Sequence, residues 1–136
     1  MHWATNYIGK PWGSGAEGPD MFNCLGLVRF VLFRMAGIEL PVVNVDDHSL
    51  RHIVNGFRRG EFYTGWEQVD KPQELDGVIM SHKNHPHHVG LWVDVDGGKV
   101  LHCVTGAGVV AMDRLHLRLA GWHIISFWRH ERCRPR

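Results

Sequence analysis

Three residues of this 136-residue chain have the types and settings that nucleophilic acyl transfer needs: Cys24, His88 and His102. Cys24 follows a stretch rich in glycine and proline and opens a run of helical character. A thiol at a helix N-terminus feels the positive end of the dipole, which favours the thiolate, the nucleophilic form. A thiolate nucleophile wants a base, and the base wants a group that holds its ring. His88 opens the run His88-Val89-Gly90-Leu91-Trp92-Val93, and His102 closes Val100-Leu101-His102. One imidazole can fix the tautomer of another by accepting its hydrogen bond. Both residue numbers are even, so the two side chains can project from one region of a sheet. A hairpin turn centred near residue 97, however, leaves them a few residues out of direct register. The other reading of Cys24 is a buried structural thiol beside a packing glycine. Gly26 costs roughly 1 kcal/mol against alanine inside a helix, so something approaches the first turn closely, either a substrate or a strand.

The elements that must position these residues follow from periodicity. Gly9, Pro11, Gly13, Gly15, Gly18 and Pro19 make residues 7–23 a loop of demanding backbone geometry. Cys24 to Ala36 reads as a helix, with Leu27, Val28, Val31, Leu32 and Met35 on one face, Gly37 as its stop and Pro41 beyond. A second helix is expected from about Asp47 to Arg59, with Leu50, Ile53, Val54 and Phe57 as its apolar face. After residue 65 the period becomes two. Gly77–Ser81, His87–Val95, Lys99–Val104, Gly108–Met112 and Trp122–Trp128 read as strands, and Asp96-Gly97-Gly98 as a hairpin turn. Residues 113–119 form a short helix or a loop. The fold class is α+β: N-terminal helices packed on an antiparallel sheet of about five strands in meander order, one domain over residues 1–136.

Composition narrows the partners. A net charge of +1 argues against a strongly basic nucleic-acid binder. Residues 113–136 hold six arginines against two acids, which reads as a solvated terminal strand and tail. No apolar run is long enough to span a bilayer, and the start carries no signal-peptide pattern, so a cytoplasmic site of synthesis is expected. The eleven histidines, with His82, His85, His87 and His88 close together, raise the question of metal. Pro86 excludes a helical pair of ligands, no zinc-knuckle spacing exists, and His87 and His88 would point to opposite faces of a strand. The cluster reads as a polar loop entering a strand, and no metal or cofactor is expected. Cys103 should face away from His102 into the core, and Cys133 lies in the basic tail. Trp92 and Trp128 fit strand cores, while Trp12 and Trp66 fall in loops, where they flank a groove or cover a core edge.

Several stretches together resemble the NlpC/P60 family of papain-like cysteine peptidases. They are Tyr7-Ile-Gly-Lys-Pro-Trp-Gly13, Asn23-Cys24-Leu25-Gly26-Leu27-Val28, Gly37-Ile-Glu-Leu-Pro41, Leu75-Asp76-Gly77-Val78, His88 to Val93 and Val100 to His102. The resemblance spans essentially the whole chain. It implies a papain-like fold and hydrolysis of peptide bonds in bacterial peptidoglycan, with Cys24 as nucleophile, His88 as base and His102 as the orienting residue. Trp12 stands where many members carry a tyrosine that lines the oxyanion site, and Asn23 and Leu25 flank the nucleophile where the family usually has other residues. By the same resemblance these three belong to the substrate and oxyanion region, with the Cys24 backbone N–H as an oxyanion donor. Cys24-Leu-Gly-Leu-Val-Arg29 is most similar to the subgroup encoded with phage tail genes, which implies a virion-tail location and other tail proteins as partners. Competing expectations are a catalytically silent relative that serves tail assembly, a metal-dependent hydrolase built on the histidine cluster, and acyl transfer on another substrate.

Overall fold

The computed structural model describes residues 2–40, 65–83 and 85–133. The helix expected over Asp47 to Arg59 lies outside them. The element order is α1 (Cys24–Ala36), β1 (Trp66–Val69), β2 (Gly77–His82), β3 (His85–Val93), β4 (Lys99–Val104), β5 (Gly108–Met112), α2 (Arg114–Leu119) and β6 (His123–His130), with 3-10 turns at Trp3–Asn6 and Glu131–Cys133. No described helix is long and apolar enough to cross a membrane.

The six described strands form one antiparallel sheet in the order β1-β6-β2-β3-β4-β5. The expected meander holds from β2 to β5. The chain then returns through α2 to lay β6 between β2 and β1. The sixth strand, β1, is a correction to the sequence reading: Trp66 begins a strand rather than sitting in a loop, because Trp66–Val69 pairs with Phe127–His130. Strand boundaries shift as well. β3 runs from His85 to Val93, since Val95 is taken into the turn, and β6 starts at His123, leaving Trp122 in the bend after α2.

Side-chain alternation builds a layer on each face of the sheet. On one face Leu27, Val28, Val31 and Leu32 of α1 pack with Ile79, Val89, Leu91, Val93, Leu101, Cys103 and Val109. On the other, Val78, Met80, Trp92, Val100 and Phe127 pack with Leu117 of α2 and with Trp122. Cys103 thus lies in the α1 core, as its position after His102 required, and Trp92 and Trp128 are buried strand residues. The β3–β4 turn is the one its sequence called for. Asp96 and Gly97 both have positive φ, and Gly98 N–H donates to Val95 O at 2.9 Å, the two-residue geometry that Asp-Gly favours.

Two long-range fasteners hold the sheet to its surroundings. Residues 9–10 run beside β5, with Gly9 N–H donating to Val109 O and Val109 N–H donating to Lys10 O, both at 2.9 Å. Gly108 permits that approach, since a Cβ there would lie 2.3 Å from Lys10 O. Asp76, fully buried, accepts from Arg129 Nε at 2.9 Å, from Arg129 Nη2 at 2.8 Å and from Gln73 N–H at 2.8 Å. That bidentate pair ties the segment before β2 to β6.

Candidate active site

Cys24 is the first residue of α1, and the local sequence explains why the helix starts there. Asn23 has extended backbone and caps the helix, its Oδ1 accepting from Gly26 N–H at 2.6 Å. The preceding loop is stitched to this point: Phe22 N–H donates to Pro11 O, Gly13 N–H to Phe22 O and Asn23 N–H to Ala16 O. The last contact answers the question raised by Gly26. A Cβ on Gly26 would lie 2.1 Å from Ala16 O, so the neighbour that demands glycine is the loop backbone, neither a substrate nor a strand. Trp12 bridges to Phe22 within the same loop and packs at the core edge. Leu25 is buried in the core and lines a small apolar cavity with Val28, Ile79, Val89 and Trp128.

α1 packs across β3 and β4, the two strands that carry the histidines. Cys24 is 9% exposed, and Cys103, the residue after His102, feels its charge. Burial first, and the nearby Cys24 second, push the Cys103 thiol up to about 12, so Cys103 stays protonated at neutral pH. The Cys133 thiol is also raised, chiefly by burial and then by Asp76. Cys133 is half-buried against the α1 core, and its carbonyl accepts from the Gln73 side chain at 2.7 Å.

The histidines meet. His88 Nε2 and His102 Nδ1 are 2.9 Å apart. The β3–β4 register pairs Leu91 with Leu101 and Trp92 with Val100, which makes the two histidines diagonal neighbours rather than a direct pair. Long side chains reach across such a diagonal. Gly90 leaves the room: a Cβ there would lie 3.0 Å from His102 Cβ and 2.9 Å from Leu101 O. This is the physical reason for glycine two residues after His88. Both rings also pack on Trp122, with centroids 4.3 Å away for His88 and 5.3 Å for His102. Trp122 and Met112, whose Sδ lies 3.4 Å from His102 Nε2, complete the surroundings of the pair. Neither carried a sequence signal beyond a place in a strand pattern; only the return of the chain through α2 and the pairing of β5 bring them here.

His102 is fully buried, and burial lowers its pKa to about 4. It is therefore neutral at physiological pH. An unfolded histidine titrates near 6.5. Above that value neither state binds the proton. Between 6.5 and 4 the unfolded chain binds it and the folded chain does not, so stability falls as pH drops through that window, by about 3 kcal/mol in full. Urea unfolding of wild type and His102→Asn at pH 7 and at pH 4.5 should show the wild type losing more stability on acidification. Equal losses would refute the assignment.

The remaining histidines of the cluster are placed differently. His82 Nε2 bonds to Ala120 O at 2.9 Å, and its ring lies 4.8 Å from that of Trp122. Among the described residues no three His, Cys, Asp or Glu side chains converge on a common point that could hold a metal ion.

Comparisons with known proteins bear on this geometry. The family model described as NlpC/P60 matches residues 9–129. Two curated relatives, probable endopeptidases p60 of Listeria grayi and Listeria monocytogenes, are each 25% identical over 126 and 128 residues, 93% of this chain. The chain spans only 21% and 22% of their lengths. Among solved structures, the NlpC/p60 domain of the peptidoglycan hydrolase SagA superposes with a TM-score of 0.59 at 18% identity, covering 91% of this chain and 90% of that one. A lipoprotein-like NLP/P60 protein of Staphylococcus aureus gives 0.58 at 21% identity, covering 93% of this chain and 38% of that one. The expected fold, helix packed on an antiparallel sheet, is thus shared with both.

Proposed function

The chain belongs to the NlpC/P60 family, and from that premise we propose that it is a cysteine peptidase that hydrolyses peptide bonds in the stem peptides of bacterial peptidoglycan. The observation that carries the reading is the 2.9 Å contact between His88 Nε2 and His102 Nδ1, on strands that α1 covers with Cys24 at its first turn. The SagA domain and the p60 relatives, described respectively as a peptidoglycan hydrolase and as probable endopeptidases, supply the substrate class.

In this mechanism the Cys24 thiolate attacks the amide carbonyl. The Cys24 N–H, at the start of α1, donates to the developing oxyanion. With its Nε2 on His102, His88 uses Nδ1 to protonate the leaving amine. It then takes a proton from the water that hydrolyses the thioester. Asn23 acts through the cap it forms on α1. Trp12, which bridges to Phe22 two residues before the nucleophile, is assigned to the substrate side by the family resemblance.

The proposal extends to a phage or prophage tail-associated enzyme, made in the cytosol and working with other tail proteins, because Cys24-Leu-Gly-Leu-Val-Arg29 resembles that subgroup. A second reading, a silent domain with the same fold, is favoured by the burial of Cys24 and His102. One pair of measurements separates them. Mass spectrometry of fragments from defined muropeptides should show cleavage of a stem-peptide amide, and iodoacetamide at pH 6 should label Cys24 before Cys103 or Cys133. Intact muropeptides together with an unreactive Cys24 select the silent reading.

A further inference from the structure

Met112 touches the histidine pair from β5, a strand that contributes no residue to the chemistry proposed above. His102 pairs with Val110 across β4 and β5, so Met112, two residues on, is its diagonal neighbour on the same face. Its Sδ lies 3.4 Å from His102 Nε2, within range for a hydrogen bond to sulfur. A thioether sulfur carries no proton and can only accept. The contact therefore asks for a proton on His102 Nε2.

The rest follows by elimination on two rings. His102 is neutral, so a proton on Nε2 leaves Nδ1 as an acceptor. The partner of that acceptor, His88 Nε2, 2.9 Å away, must then be the donor. A neutral His88 with its proton on Nε2 has its lone pair on Nδ1. A protonated His88 keeps the same Nε2–H···Nδ1 bond and carries its second proton on Nδ1. The opposite chain, with His102 Nδ1–H donating to His88 Nε2, would put the proton of neutral His88 on Nδ1 and remove the basic site.

We propose that Met112 is a positioning residue for the reaction: its sulfur accepts from His102 Nε2–H, fixes the His102 tautomer, and through it keeps the basic nitrogen of His88 at Nδ1. This rests on the peptidase reading for its kinetic consequence, but not for the tautomer itself. The side chain is chosen for direction rather than strength. A carboxylate in its place would favour a charged His102, whereas sulfur accepts weakly and leaves the ring neutral.

The test is imidazole nitrogen NMR on the wild-type protein, followed by Met112→Leu and Met112→Gln. Wild type should show neutral His102 protonated at Nε2 and neutral His88 likewise. Met112→Leu keeps the shape and removes the acceptor, so His102 should become a mixture of tautomers. On muropeptides kcat should fall roughly 3- to 10-fold with KM unchanged, the range of one net hydrogen bond. Met112→Gln, whose carbonyl can accept from the same Nε2–H, should restore both the tautomer and the rate. A wild-type His102 protonated at Nδ1, or a Met112→Leu protein with unchanged tautomers, overturns the proposal, and the first needs no variant to fold. Absence of muropeptide cleavage by the wild type would overturn the peptidase reading alone, and the NMR result would still decide the role of Met112.

Discussion

A Cys24→Ala variant should lose hydrolysis of stem peptides by about 10⁴-fold or more in kcat, the usual consequence of deleting a covalent nucleophile. The fold should survive it. Cys24 contributes one sulfur to the edge of the α1 core, while the start of the helix is set by the Asn23 cap and by the Asn23 N–H bond to Ala16 O. Melting should therefore move by the amount expected of an ordinary small substitution, about 1 kcal/mol. Parallel digests of defined muropeptides by wild type and variant, read by mass spectrometry, measure the effect. A variant with wild-type rates would sink the assignment of Cys24. The other thiols give no rescue, since burial holds both Cys103 and Cys133 above their ordinary range.

The second large effect is on stability. Asp76→Ala should cost about 3–5 kcal/mol, because removing one partner of a buried pair strands the other charge. Asp76 is 0% exposed, and both its oxygens are engaged by Arg129, whose guanidinium it holds above its ordinary pKa chiefly through the hydrogen bond. The Gln73 N–H would lose its acceptor at the same time. The backbone of the same residue also fixes β3, since Trp92 N–H donates to Asp76 O at 2.8 Å. Asp76→Asn, which keeps an acceptor and drops the charge, should lose less. Urea midpoints of the two variants give the comparison; a loss below about 1 kcal/mol for Asp76→Ala would show that Arg129 reaches water when abandoned.

How far the sequence could be read depended on the range of each interaction. The helix from Cys24 and the strands β2 to β5 announce themselves through local period and through turn chemistry such as Asp96-Gly97. β1 does not. Trp66–Val69 is four residues long, and among the described residues its strand partner is β6, some sixty residues on. The histidine pair is legible from type and parity, and a turn centred near residue 97 already puts the two out of direct register. The register makes the contact diagonal, and the vacancy at Gly90 makes it possible. Gly26 announced a close neighbour without naming it, because Ala16 reaches it only after the loop has folded back. Trp122 and Met112 were invisible as site residues for the same reason: their roles come from where β5 and the α2 bend deliver them.

The strap of residues 9–10 along β5 has a consequence for the timing of synthesis. Its partner, Val109, is translated about a hundred residues later. The strap therefore cannot form until β5 has left the ribosome. Contacts so distant along the chain also make for slow closure, on the millisecond-to-second scale of high-contact-order domains. The N-terminal strap is thus among the last contacts of the sheet to become available as the chain is made.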